Sequence, residues 1–197
     1  MSTSKRNCKI IAPVGLAGSG KSSAVEYLAA RNLPKIYAGG LILDGVKEMG
    51  WELTQDNERK YREMMRQKHG NDYFIRRCAE QMHRLIDAGQ KRIVFDGLYS
   101  WTEYKFLKHE FPGSLSVIAI VAPNHLRYRR LAQRPVRPLS EHEAIKRDWA
   151  EIEGLEKGGP IAIADYFVTN DGDLDHLYAQ LEAVVQSEHF CKAPEVC

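Results

Sequence analysis

The chain has 197 residues, 44% of them hydrophobic and 27% charged, with a net charge of +2. That length supports one substantial core without a second domain, and so small a charge excess leaves a nucleic-acid partner possible but not required. No run of 18 apolar residues is present to span a membrane, the N-terminus lacks the apolar stretch of a secretion signal, and four scattered cysteines (Cys8, Cys78, Cys191, Cys197) without C-x-x-C spacing fit a reducing cytoplasm.

The first element is an apolar run over residues 10–14, read as a buried strand, and residues 21–31 have helical period. Between them stands Gly15-Leu16-Ala17-Gly18-Ser19-Gly20-Lys21-Ser22, a complete G-x-x-x-x-G-K-S phosphate-binding loop in the required order of strand, loop and helix. Its glycines let backbone N–H groups turn inward around phosphate oxygens, and the new helix aims unpaired amides and its positive dipole end at the same anion. The residues from Gly15 to Ser23 are therefore the expected contacts of ATP. Lys21 is expected to reach the terminal phosphates, and Ser22 to place its hydroxyl on a Mg²⁺ ion between the β- and γ-phosphates.

Further strands are read over residues 35–38, 92–95, 115–121 and 166–169, separated by helix-length segments. This β-α-β repetition predicts an α/β fold with a mostly parallel five-stranded sheet, helices on both faces and ligands at the carboxyl ends of the strands. Residues 41–88 offer two or three helices and no strand, which suggests a helical insertion over the sheet edge. Its aromatics Trp51, Tyr61, Tyr73 and Phe74 could stack on a base or staple the insertion to the sheet. Ser100-x-x-Glu103 and Ser140-x-x-Glu143 have capping-box form, and Asn71 and Asp173 are candidate single caps. Residues 187–197 read as a flexible tail, where His189, Cys191 and Cys197 fall short of the four ligands of a structural zinc site.

Three further groups carry chemistry. Asp96 ends the third strand, where a phosphate-loop enzyme usually places the carboxylate that supports its Mg²⁺. Arg127, Arg129, Arg130, Arg134 and Arg137 fall within eleven residues, and Arg130, Arg134 and Arg137 stand at helical spacing. Phosphoryl transfer needs such cations around the migrating group, so these three are read as catalytic residues of a closing lid, against the alternatives of a solvated basic face or a nucleic-acid contact. Asp44, in the helix after Gly39-Gly40, is the candidate base for the attacking hydroxyl, although an Asp at a helix start is also an ordinary dipole partner.

Taken together, these residues resemble phosphate-loop kinases of the nucleoside monophosphate kinase type, most like the adenylate-kinase-related, dephospho-coenzyme-A-kinase-like group. The resemblance is carried by Gly15 to Ser22, Gly39-Gly40, Lys68 to Asp72, Phe95 to Ser100, Ala122-Pro123, Arg127 to Arg137, Arg147-Asp148, Ala164 to Tyr166 and Asn170 to Gly172. It implies a P-loop NTPase three-layer sandwich as a single domain over 1–186, an acceptor-binding helical insertion and an arginine lid over about 127–150. It further implies that adenine is held between Arg130 at the base of the lid and the loop of Asn170 and Gly172. Two stretches depart from the family pattern. Gly39-Gly40-Leu41-Ile42-Leu43 lacks the acid and the arginine of Gly-Asp-x-x-Arg, and Asp96-Gly97-Leu98-Tyr99-Ser100 has Tyr99 where the family has arginine.

The expected activity is transfer of the γ-phosphoryl group of ATP, with Mg²⁺, to a small nucleotide-like or nucleoside-like acceptor by a monomer or homodimer. Leu43 and Tyr99 point to an acceptor less negative than a nucleoside monophosphate, unless Arg76, Arg77 or a lid arginine restores the clamp. A kinase acting on a base or hydroxyl in a polynucleotide, or a non-catalytic ATP-binding regulator, are the alternatives. A GTPase switch is disfavoured because no Asn-Lys-x-Asp sequence is present.

Overall fold

The computed structural model describes residues 8–188, so the tail residues His189, Cys191 and Cys197 lie outside the described part. Five strands, β1 (Lys9–Val14), β2 (Lys35–Tyr37), β3 (Arg92–Asp96), β4 (Leu115–Val121) and β5 (Tyr166–Thr169), form one parallel sheet in the order β2-β3-β1-β4-β5. The helices are α1 (Lys21–Ala29), α2 (Ala38–Glu48), α3 (Gln55–His69), α4 (Tyr73–Asp87), α5 (Trp101–Glu110), α6 (Asn124–Ala132), α7 (Glu141–Trp149), α8 (Gly158–Ala162) and α9 (Leu174–Ser187), with a π-helical turn at Ala150–Gly154.

β1 and β4 are almost wholly apolar because both of their faces are covered. Side-chain alternation sends Ile10, Ala12, Val14, Ile93, Phe95 and Val117 to one face, against Ile75, Cys78, Met82 and Ile86 of α4 and Leu107 of α5. Ile11, Val94, Ile118, Ile120 and Val168 point to the other, against Ala24, Val25 and Leu28 of α1 and Leu177, Leu181 and Val185 of α9. Each fully buried aliphatic side chain contributes about 1.5–3 kcal/mol relative to exposure. The result is a three-layer sandwich. Pro13 is accommodated inside β1 because it lies past the last β1–β3 pair, Ile11↔Val94.

Between β2 and β3 run α2, α3 and α4. They share a small core of Val46, Tyr61 and Phe74, with Trp51 and Tyr73 packed against it. The insertion's aromatics therefore hold its helices together, and a Cβ on Gly45 would strike the Tyr61 ring. Both capping boxes form, at Ser100/Glu103 and Ser140/Glu143, and Asp173 accepts the His176 N–H at 2.9 Å. Thr54 caps α3, a cap the sequence reading had missed.

Several boundaries differ from the sequence reading. β2 ends at Tyr37 and α2 starts at once, so Gly39 and Gly40 lie in its first turn, where a Cβ on Gly39 would enter the Tyr37 ring. The N-cap of α4 is Asp72 rather than Asn71, without a side-chain cap. α6 stops at Ala132, so Arg130, Arg134 and Arg137 do not share a helix face. The cause is Pro135 and Pro138, each of which bars the preceding arginine from the α region, and Arg137 takes a left-handed φ of 56°. Among the described residues no helix is long and apolar enough to cross a membrane.

Candidate active site

The carboxyl ends of β1, β2 and β3 open into a cleft of about 530 Å³. Its floor is the phosphate-binding loop. Gly18 and Gly20 hold φ values of 81° and 99°, which L side chains rarely adopt. A Cβ on Gly18 would come within 2.7 Å of the Arg127 carbonyl oxygen, and one on Gly20 would enter the Asn170 side chain. α1 begins at Gly20 with no side-chain cap, so its first-turn amides are left to a ligand or water. Gly15, Leu16, Ala17, Gly18, Gly20, Lys21, Ser22 and Ser23 all line the cleft. Ser19 instead is buried beneath it, its Oγ without a partner.

Lys21 at the start of α1 is ion-paired with Asp96 at the end of β3. The β2–β3 register sets Tyr37 beside Asp96, and both line the cleft; burial and the Asp96 carboxylate push the Tyr37 phenol above its ordinary range. The chain then turns through Gly97 into α5. There the Glu103 carboxylate accepts from the N–H groups of Tyr99 (2.8 Å) and Ser100 (3.0 Å), so the α5 capping box also fixes the backbone of Tyr99. Burial raises the Glu103 carboxyl while those two hydrogen bonds oppose it. Lys21 Nζ and Lys157 Nζ each lie 5.6 Å from the Tyr99 ring centroid. Burial first, then the Asp96 charge, drives the Tyr99 phenol far above its usual range.

The arginines divide into three groups. Arg127 is only 6% exposed and forms a two-pronged pair with Asp148 (2.8 and 2.6 Å) while donating to the Ala17 carbonyl at 3.0 Å. It is part of the framework of the loop. Arg130 and Arg134 line the cleft, as Arg147 does from α7. Arg130 donates to the Asn170 carbonyl at 2.9 Å. Arg134 has no ion pair among the described residues, and burial together with the neighbouring Arg147 charge lowers its pKa. Arg129 and Arg137, exposed like Arg134 and Arg147, do not line the cleft, and Arg137 reaches Glu58 of α3 at 3.6 Å.

Five expected site residues are therefore not on the cleft wall: Ser19, Asp44, Arg137, Asn170 and Gly172. Asp44 is exposed on α2, facing away because the buried side of that helix packs Val46 and Gly45 against Tyr61. Asn170 is buried, and its Nδ2 donates to the Ser19 carbonyl at 2.8 Å, so it braces the loop from behind. Gly172 lies in the exposed turn before α9.

The end of the cleft at Tyr99 is not neutral. Leu43 does not line the cleft, and Lys157 stands over Tyr99. Arg76 and Arg77 do not restore a clamp, being engaged with His69 O and Asp72 and with Glu80, whereas Arg134 does line the cleft. The sequence reading missed Lys35, Tyr37 and Lys157. Counted on the wall, the cations Lys21, Lys35, Arg130, Arg134, Arg147 and Lys157 outnumber the carboxylates Glu26 and Asp96 by six to two. A pocket with that balance concentrates anions.

Residues 11–165 match the family described as AAA domain. The chain is similar to a UPF0200 protein of Thermococcus onnurineus (strain NA1), 30% identical over 181 residues that cover 90% of this chain and 96% of that one. Its fold is similar to that of a shikimate kinase from Bacteroides thetaiotaomicron (TM-score 0.56, 14% identity, 92% of this chain and 98% of that chain). It is also similar to a dephospho-CoA kinase from Campylobacter jejuni (TM-score 0.54, 15% identity, 91% and 97%). At such identities the likeness carries the fold alone, which is a P-loop kinase-like α/β sandwich.

Proposed function

The chain belongs to the AAA domain and UPF0200 families, and we propose that within them it is a kinase that transfers the γ-phosphoryl group of ATP to a small nucleotide-like acceptor. The observation that carries this reading is the pairing of Lys21 with Asp96 above an uncapped helix start, in a cleft whose wall is otherwise cationic. A lysine, a carboxylate and a ring of arginines are the parts phosphoryl transfer needs, because the protein acts by positioning and by neutralising charge on the equatorial oxygens.

The donor set suits ATP with Mg²⁺. Gly18 and Gly20 hold the loop at left-handed φ values, closed against Arg127 and Asn170, and Ser22 and Asp96 supply a hydroxyl and a carboxylate to the same cleft. Among the described residues no group of three or more His, Cys, Asp or Glu could hold a metal, which suits an ion whose remaining ligands are phosphate oxygens and water. Mg²⁺, when bound, would be held with the Ser22 hydroxyl and would supply charge neutralisation to the donor phosphates. In the transfer itself, the acceptor oxygen bonds to the γ-phosphorus as the bond to the β-phosphate oxygen breaks and ADP leaves. Where the acceptor oxygen is a hydroxyl, Asp96 is the carboxylate on the cleft wall that takes its proton, since Asp44 does not line the cleft.

Incubation with ATP, Mg²⁺ and a panel of the four nucleoside monophosphates, dephospho-CoA, small hydroxy acids and oligonucleotides tests the reading by ³¹P NMR. One acceptor class is expected to yield ADP and a phosphorylated product in equal amounts. ATP binding without transfer to any acceptor would turn the reading to a regulator, and transfer only to oligonucleotides with steep salt dependence would turn it to a polynucleotide kinase.

Arg134 and Arg137 separate the cleft from the surface. Arg134→Ala is expected to lower kcat by about one to three orders of magnitude, as for loss of a charge-neutralising arginine. Arg137→Ala should stay within about twofold, since an exposed pair such as Arg137–Glu58 contributes little. Equal losses of kcat in the two variants would mean that the segment closes as one unit and that the surface role of Arg137 is wrong.

A further inference from the structure

Binding of ATP by the loop leaves Lys157 unexplained. It is 4% exposed, follows the π-helical turn at Ala150–Gly154, and still lines the cleft. A buried ammonium needs a partner, because stripping water from an isolated charge is costly. Its partner is Glu151, at 2.8 Å, and Glu151 is shared with Arg147, at 3.1 Å. Two cations thus divide one carboxylate. Arg134, exposed on the cleft wall, adds a third positive charge that feels both Arg147 and the same Glu151. This corner of the cleft holds more positive charge than the protein offsets, which is the electrostatic signature of a site for an anion.

Tyr99 indicates which anion. Its ring has the ammonium of Lys21 and that of Lys157 each 5.6 Å from the centroid, and both lysines line the one cleft. Lys21 belongs to the donor phosphates, and Lys157 enters from the opposite end of the chain, on the segment between α7 and α8. The π-helical turn contributes as well. It carries Glu151 on the next turn from Arg147, where the carboxylate takes both Arg147 and Lys157, and such turns interrupt α-helices mostly at functional sites.

We propose that Lys157, held by Glu151 and packed over the Tyr99 ring, binds an oxyanion of the acceptor just beyond the γ-phosphate, so that the acceptor is itself an anion. The inference rests on the kinase reading above. Because the acceptor is unidentified, the probe is adenosine 5′-tetraphosphate, whose fourth phosphate extends past the γ position, with ATP, which ends at that position, as the control. Both are titrated calorimetrically into wild type, Lys157→Met, Lys157→Arg and the Glu151→Gln/Lys157→Met double variant, which leaves no uncompensated buried charge.

Loss of the lysine is expected to weaken the tetraphosphate by about tenfold or more, the size of a charged hydrogen bond, and to leave ATP within about twofold. The double variant should behave like Lys157→Met while keeping the wild-type thermal midpoint, and Lys157→Arg should recover most of the loss. Equal weakening of both nucleotides, or of neither, overturns the proposal and makes Lys157 a purely structural partner of Glu151. If wild type binds neither nucleotide, the kinase reading fails and this inference with it, an outcome distinguishable from the others before any variant is made.

Discussion

Lys21→Ala is expected to reduce phosphoryl transfer by at least about a thousandfold while the protein remains folded. The loop does not depend on this side chain for its shape: Gly18 and Gly20 supply the left-handed turns, and Asn170 and Arg127 hold the Ser19 and Ala17 carbonyls. What the variant removes is the ammonium that we propose meets the terminal phosphates. In the free protein that ammonium is paired with Asp96, so ATP has to share it with a carboxylate already in place. Without it, Asp96 faces the donor phosphates as a like charge. The folding cost is expected to be about 1–2 kcal/mol, since Asp96 borders a cleft that water can fill. Turnover and urea unfolding measured on the same preparation decide the matter. Wild-type turnover in a folded variant would remove Lys21 from the mechanism.

The phosphate loop was legible because its residues are dictated locally. Only glycine tolerates the φ values at positions 18 and 20, and a strand before and a helix after are visible as a change of apolar period. The five strands and the two capping boxes were legible for the same reason. The failures have two kinds of cause. The helical alignment of Arg130, Arg134 and Arg137 was refuted by residues already in view, since Pro135 and Pro138 forbid it. Lys157, by contrast, had no local signal: it is a single lysine in a stretch that also carries Glu151, Glu153 and Glu156. It enters the site only because β5 returns to pair with β4, which brings the segment after α7 back over the end of β3. Asp44 failed likewise, because which side of α2 is buried depends on Tyr61 arriving from α3. Local geometry thus gave the loop and its flanking elements, and long-range packing set the rest of the cleft wall.

The largest effect on stability is expected at Arg127, which the sequence presents as one member of a basic run and the fold uses as a buried tie. Arg127 and Asp148 are each 6% exposed, and the pair joins α6 to α7. The Tyr128 hydroxyl also donates to Asp148, at 2.9 Å. Arg127→Ala strands that carboxylate with the Tyr128 hydroxyl as its remaining donor and frees the Ala17 carbonyl. Removing one partner of a buried pair costs about 3–5 kcal/mol, a large share of the roughly 5–15 kcal/mol that holds a domain folded. The Arg127→Met/Asp148→Leu double variant should recover most of that loss, because the penalty lies in the unpaired charge more than in the missing attraction. Recovery of stability should not restore nucleotide binding, however, because the donor to the Ala17 carbonyl is still absent and the backbone of Gly18 packs against that of Arg127. Urea unfolding should therefore place the double variant near wild type, while calorimetry finds its ADP affinity reduced by about fivefold or more, as for one lost charged hydrogen bond. A single variant within about 1 kcal/mol of wild type would show that water reaches Asp148. A stable double variant with unchanged affinity would show that the loop holds its shape without the tie to α6.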